Sequence, residues 1–593
     1  MKKFKSAIKV LSPFIRKYKI PFIASIISVI LSAVFTALSP KVEGFIITRL
    51  TENFKDIIGK VPGAQVDFDY IKRVLFILLF IYVFGALTSY LSSYFLTNAI
   101  QNTMRDLRNA IKNKITKLPV RYFDTNTYGN VLSRITNDVD SITNALQQSL
   151  IQIFIAVLQI GLALVMMFLI DVKLALIGVA IIPLSLLITK IVVNNSQNLF
   201  KKQQNALGQL NGKVQELYTG FNEIKLYGKE EDVIKDFEKA TGELSDAGFM
   251  AQFISSTMSP LVGLVTYLSI GLTAVLGGRS VILGVITVGN LQALVRYIWQ
   301  INQPLSQVTQ LSSAIQAAFA AFDRVHEFLN EEEEIDVQEG LTKINNPKGN
   351  VSFKNVKFGY NEDKVLINNL NLEVKSGQMV AIVGPTGAGK TTIINLLMRF
   401  YDVLDGAIEV DGVNIKNMKR EDLREIFGMV LQDTWLFNGT IYENLEYGRF
   451  GASKADIVEA AKVANVHHFI KTMTDGYDMK LNEEASNISQ GEKQLLTIAR
   501  AVLKDPAILI LDEATSSIDT RLEILIQTAM RNIMKGRTSF VIAHRLSTIK
   551  NADLILVLKE GSIIEQGNHE ELMKQGGFYK DLYNSQFAEK EEV

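Results

Sequence analysis

The run Gly384-Pro385-Thr386-Gly387-Ala388-Gly389-Lys390-Thr391-Thr392 has residue types and spacing suited to one task, holding the phosphates of a nucleoside triphosphate. Small residues let several backbone N–H groups converge on the β-phosphate at a helix N-terminus. Lys390 supplies a point charge to the β- and γ-oxygens, and Thr391 a hydroxyl to Mg²⁺. The context agrees, because Met379 to Val383 is a short apolar run of strand type and Thr392 to Phe400 reads as a helix.

Three further features suit the same nucleotide. Ile508 to Leu511 reads as a buried strand ending in Asp512 and Glu513, the first placed to hold Mg²⁺ through water, the second to take a proton from the attacking water. Gln432, after the apolar run Gly428 to Leu431, is a neutral side chain able to reach both Mg²⁺ and that water. His544, after the strand Phe540 to Ala543, can donate to the γ-phosphate. Singly, a strand-end acid pair or a lone histidine is more often just solvated; it is their order after the phosphate loop that carries the signal.

These residues need elements to position them, and the composition points to two kinds. The chain has 593 residues, 48% of them hydrophobic, with a net charge of +1. That is long enough for several domains and apolar enough to include a membrane portion, and the charge balance gives no reason to expect nucleic acid as a partner. The absence of cysteine excludes disulfides and thiolate metal sites. With five scattered histidines, the only cation expected is the Mg²⁺ that accompanies ATP.

Residues 1–19 carry Lys2, Lys3, Lys5, Lys9, Arg16, Lys17 and Lys19 around Phe4, Ile8, Leu11 and Ile15, the pattern of an amphipathic helix on a membrane surface. Six apolar segments follow, Ile20 to Ile47, Val74 to Ile100, Leu150 to Ile170, Leu174 to Val193, Phe249 to Leu276 and Ile282 to Leu311, each of about the 20 residues a bilayer requires or more. Arg105, Arg108, Lys112, Lys114, Lys117, Arg121 and Arg134 crowd the connection after the second, which places it and both termini in the cytoplasm of a multi-pass protein of the cytoplasmic membrane. Lys41, Glu43 and Arg296 lie within or near the proposed spans, where they either line a water-filled path or pair and snorkel. Glu331 to Glu334 with Asn345-Asn346-Pro347 reads as a solvated linker, after which short β-rich runs alternate with helices. The expected architecture is an α-helical transmembrane domain of six spans over 1–325, a linker over 326–348, and an α/β P-loop NTPase domain over 349–593.

In that order, the phosphate loop, Gln432, Ser489-Gln490-Gly491, Asp512-Glu513, Asp519 and His544 resemble the ATP-binding cassette, and with six spans ahead of it nearly the whole chain resembles a half-size ABC exporter. The resemblance implies that Tyr360 stacks on adenine and that Ser489 and Gly491, opening the signature helix, act on the γ-phosphate bound by a second cassette. It implies that Asp519 lies in the loop crossing to that partner. Arg121 to Asp124, with Gly129 and Arg134 to Asp140, resembles the first cytoplasmic loop, whose short helix docks on the cassettes; the segment around Glu223 to Phe237 is expected to provide the second. One cassette per chain implies a dimer.

The signature departs from the family pattern Leu-Ser-Gly-Gly-Gln, reading Ile488-Ser489-Gln490-Gly491-Glu492, while Lys390, Gln432, Asp512, Glu513 and His544 are intact. In this the chain resembles the catalytically competent half of bacterial heterodimeric multidrug exporters; the alternative is a homodimer in which the variant is harmless. Fused spans exclude a soluble cassette protein, and their fusion with long cytoplasmic loops favours export over import by analogy alone. A lipid or peptide exporter and an ATP-gated channel stay open. The expected cargo is an amphiphilic or hydrophobic small molecule.

Overall fold

The structure, a computed structural model, describes residues 11–587 apart from 311, 335–340, 362–363, 432–433, 513–518 and 544; the side chains of 148–150, 305–316, 547 and 586–587 also lie outside the description. The chain forms two units, Met1–Lys117 with Asn126–Glu331, and Leu118–Thr125 with Glu332–Val593.

In the first unit the helices Lys19–Ile58, Phe68–Ile115, Tyr128–Phe168, Val172–Thr219 and Glu230–Ile282 are long and apolar enough to cross a membrane. They cover the first five expected spans and continue as polar helix, which is why the connections after the second and fourth spans read as long and helical. Between the third and fourth, Asp171 makes the tight turn, its carboxylate accepting from Leu174 N at 2.9 Å as the cap of the next helix. Phe76, Leu79, Phe80 and Val83 stand exposed on the second helix, the surface a lipid-facing segment presents.

The sixth segment differs from expectation. Ile282 ends the fifth helix, and a new helix runs over Val288–Gln310. Gly284 takes a left-handed conformation in the turn, and Thr287 Oγ1 accepts from Asn290 N at 3.1 Å. The unbroken apolar composition of Val281 to Ile286 concealed that break, which Gly284 alone signalled. Gln292, Arg296, Gln300, Asn302 and Gln303 make this helix more polar than the other five. It packs on the first helix at a glycine pair: a Cβ on Gly289 would lie 1.8 Å from the Gly44 carbonyl oxygen, so the two backbones touch.

The second unit holds a six-stranded sheet in the order β12-β11-β3-β10-β9-β6, formed by β12 (Ser562–Gly567), β11 (Leu554–Lys559), β3 (Met379–Val383), β10 (Thr538–Ile542), β9 (Ile508–Asp512) and β6 (Phe427–Val430). All neighbours are parallel except β11 and β12. The central strands are largely apolar and almost wholly buried, as a sheet covered on both faces requires. A second, antiparallel sheet orders β2 (Ile367–Val374), β1 (Val351–Phe358), β4 (Asp405–Val410) and β5 (Val413–Asn414). One apolar core joins the two sheets through Phe353, Ile393, Phe427 and Phe540; another packs the helix Gln490–Lys504 through Leu496, Ile498 and Leu509.

The acidic run at the unit's start is not simply solvated. Glu334 pairs with Arg420 at 3.0 Å and Arg424 at 3.1 Å, tying the segment to the cassette surface.

Candidate functional site

The phosphate loop leaves the C-terminal end of β3 and opens the helix Lys390–Leu397. Its geometry explains the glycines. Gly387 and Gly389 have φ of 81° and 101°, and a Cβ on Gly384 would lie 2.4 Å from the Leu558 carbonyl oxygen. The Lys390 ammonium folds over the loop, donating to the carbonyls of Gly384 at 2.7 Å and Pro385 at 3.1 Å. Burial pulls its pKa below the ordinary lysine value, and the Asp512 carboxylate draws it partly back. A half-buried, pre-placed cation at a helix N-terminus suits a polyphosphate. The cleft on the loop, about 170 Å³, includes Pro385, Thr386 and Lys390.

Strand register brings Asp512 to the same edge: Ile382 of β3 pairs with Ile542 of β10, which pairs with Asp512 of β9. Thr391 is exposed beside Lys390, and Asp512 ends its strand at the same edge of the sheet. This fits Mg²⁺, which keeps much of its water and takes few protein ligands. Among the described residues no group of three or more His, Cys, Asp or Glu could hold a metal on its own. Thr392 is buried, and its hydroxyl meets Tyr360 Oη at 3.1 Å. Gln432, Glu513 and His544 lie outside the described residues. His544 is followed by Arg545, which pairs with Glu523 on the helix Thr520–Met534.

Tyr360 stands partly exposed just after β1 of the antiparallel sheet, its ring edge-on to Phe358 at 5.1 Å and to Tyr401 at 5.0 Å. Sequence reading missed Tyr401. It follows the phosphate-loop helix, but its partners Tyr360 and Asp124 are distant in sequence, and no local pattern marks it.

The signature residues are arranged by a capping box. Ser489 caps the helix Gln490–Lys504, with Glu492 N donating to Ser489 Oγ at 3.4 Å and Ser489 N donating to the Glu492 carboxylate at 2.7 Å. The Glu492 carboxylate therefore turns back onto its own helix terminus. Gln490 donates to Thr434 Oγ1 at 3.2 Å, so the second variant side chain also has a partner in its own unit. Gly491 is buried in the first turn, and Ser489 is exposed. Asp519 caps the helix that follows it, accepting from Arg521 N at 3.2 Å.

Residues 22–305 match the ABC transporter transmembrane region, and residues 367–516 match the ABC transporter family. A fatty acid ABC transporter ATP-binding/permease protein of Mycobacterium tuberculosis is 44% identical over 537 residues, covering 90% of this chain and 85% of its own length. A putative multidrug export ATP-binding/permease protein of Bacillus subtilis is 35% identical over 482 residues, 81% of this chain and 83% of that protein. An ATP-dependent lipid A-core flippase of Saccharophagus degradans is 35% identical over 483 residues, 82% of each. Among solved structures, a bacterial Atm1-family ABC exporter with ATP bound aligns with a TM-score of 0.74 and 29% identity over 96% of this chain and 99% of that one. With one transmembrane region and one ATPase domain, the chain belongs to the half-size ABC exporters, multi-pass membrane transporters that bind and hydrolyse ATP.

Proposed function

We propose that this chain exports amphiphilic or hydrophobic compounds, drugs or lipids, across the cytoplasmic membrane by alternating access, with its cassette and both termini in the cytoplasm. Support comes from the relatives, whose names specify fatty acid, lipid A-core and multidrug cargo, all amphiphilic or apolar. In this reading Lys390 and the N–H groups of residues 384–392 hold the phosphates, and Tyr360 stacks on adenine. Thr391, Gln432 and Asp512 would hold Mg²⁺, which would neutralise phosphate charge. Glu513 takes the proton of the attacking water, Gln432 orients that water, and His544 donates to the γ-phosphate. Ser489 and Gly491 act on ATP held by a second half-transporter, with Asp519 in the crossing loop. Closure on two ATP molecules shifts the spans outward because the closed state binds ATP more tightly.

The partner is a different half-transporter. The observation carrying this is Glu492: at the start of the signature helix its carboxylate adds negative charge where the helix dipole would otherwise favour the partner's γ-phosphate. A homodimer is the second reading, favoured by the fact that Glu492 and Gln490 both bond within their own unit. Purifying the chain alone and with candidate partners decides between them. Robust drug-stimulated ATPase activity from a two-copy assembly of this chain alone contradicts the heterodimer.

A further inference from the structure

The first unit contains a polar cavity of about 620 Å³, within the range of about 300 to 1,000 Å³ typical of small-molecule sites, lined by Glu43, Tyr82, Arg296, Trp299 and Asn302 among others. The close crossing at Gly44 and Gly289 creates it, because Glu43 is thereby brought against the following turns of the Val288–Gln310 helix. Tyr82 Oη donates to one Glu43 oxygen at 2.5 Å, and Gln292 Nε2 donates to the other at 3.2 Å. Arg296 Nε lies 3.6 Å from the carboxylate, within ion-pair range but beyond a hydrogen bond. Its side chain is 62% exposed, against 22% for Glu43, and both residues line the cavity.

Of two unpaired buried carbonyl oxygens, that of Asn302 belongs to a residue of the cavity lining. Asn302 Oδ1 and Gln292 Oε1 have no hydrogen-bond partner among the described residues. Buried unpaired acceptors are unfavourable and call for an N–H or O–H group. The cavity lining thus combines a guanidinium, a carboxylate and the unsatisfied carbonyl oxygen of Asn302. Ionisable groups among membrane helices are retained at a cost, which marks them as functional candidates.

We propose that Glu43, Arg296 and Asn302 form a headgroup site for a zwitterionic amphiphile, one whose primary ammonium sits beside a phosphate. The phosphate takes the Arg296 fork; the ammonium meets Glu43 and donates to the Asn302 oxygen. A loose ion pair is replaced by two charge-assisted contacts, and Trp299, set edge-on to Tyr267 at 5.6 Å, offers an apolar face to the tail. The proposal rests on the reading that amphiphiles are the cargo.

Trp299 and Trp435 are the two tryptophans of the chain, so full-length Trp435→Phe protein in phosphatidylglycerol nanodiscs reports on the cavity through Trp299 fluorescence. It is titrated without ATP with lysophosphatidylethanolamine, lysophosphatidylcholine and lysophosphatidylglycerol of one chain length. The ethanolamine lipid is expected to bind about tenfold more tightly than the choline lipid, which has both charges but no N–H, and than the glycerol lipid, which has no cation. Glu43→Gln abolishes that preference and Asn302→Ser reduces it; Arg296→Gln weakens all three lipids. Retained ATP binding by the variants controls for folding. Equal binding of the three lipids, or a preference unchanged in both Glu43→Gln and Asn302→Ser, overturns the site. ATP-driven transport is measured separately, so a transporter that moves amphiphiles without this preference defeats the site alone, and one that moves no amphiphile defeats the reading beneath it.

Discussion

Tyr401 donates its phenolic hydrogen to the carboxylate of Asp124, a residue of the short helix Val120–Thr125. The Tyr401 ring stands perpendicular to that of Tyr360, and the Tyr360 hydroxyl meets Thr392 in the helix opened by the phosphate loop. A continuous series of contacts therefore joins the helix Val120–Thr125 to the helix Lys390–Leu397 through Tyr401 and Tyr360. Burial, reinforced by the Asp124 charge, raises the phenol pKa above its ordinary value, so Tyr401 remains a donor across the physiological pH range.

Tyr401→Phe removes that hydrogen bond and keeps the ring. Loss of a bond to a charged acceptor amounts to about 1.5 to 3 kcal/mol when buried and less where solvent reaches it. Substrate stimulation of ATPase activity should fall severalfold while nucleotide binding persists. Tyr401→Leu, which also loses the edge-on contact with Tyr360, should weaken ATP binding as well. Stimulation unchanged in both variants would show that the contact series carries no coupling.

A second prediction concerns pH and stability. Burial pushes the Asp411 carboxyl up, but the backbone N–H groups of Asn350, Gly349 and Lys348 and the Asn350 amide together pull it below the usual aspartate value. A carboxylate with a lowered folded-state pKa contributes stability above its unfolded value, about 3.9, and loses it as pH falls through the folded value. Asp411→Asn should destabilise the ATPase unit by about 1 to 2 kcal/mol at neutral pH, the range for a partly solvent-screened charged acceptor. Thermal unfolding should show that difference shrinking below about pH 4. A difference that stays constant with acidification would remove the charge from the explanation.

The capping box makes Glu492→Gln a clean substitution, because glutamine at that position can still accept from Ser489 N. In an assembly of this chain alone the change should raise ATPase activity severalfold, since a charge at a helix N-terminus is worth about 0.3 to 1 kcal/mol and more when partly buried. In a complex whose partner supplies a standard signature to this chain's ATP, the effect should be small. Equal effects in both assemblies would count against the heterodimer.

The phosphate loop, its flanking strand and helix, and the five longest spans were legible because each is a local pattern: small residues before Lys390, a buried apolar strand, an uninterrupted apolar helix. What could not be read depends on contacts between distant residues. Glu43 and Arg296 stand out in the sequence as charges within the spans, but which partner each takes is set by the Gly44 and Gly289 crossing. The start of the sixth helix was misplaced because hydrophobicity continues through the turn at Gly284. Glu334 looked like linker charge because its partners, Arg420 and Arg424, come from a helix far along the chain. The direction in which Glu492 points was likewise hidden, although the spacing from Ser489 to Glu492 is itself a capping signature.

The central claim, that ATP hydrolysis drives amphiphiles uphill, is tested most directly in inverted membrane vesicles containing this chain and its partner. Accumulation of a fluorescent amphiphile above the external concentration is followed with ATP, without ATP, and with Glu513→Gln in this chain. The account predicts accumulation with ATP alone and a hydrolysis rate lowered about a hundredfold or more in the variant, the loss expected for a positioned general base, with accumulation lost in parallel. Equilibration that never exceeds the external concentration, or accumulation that survives Glu513→Gln, would contradict it.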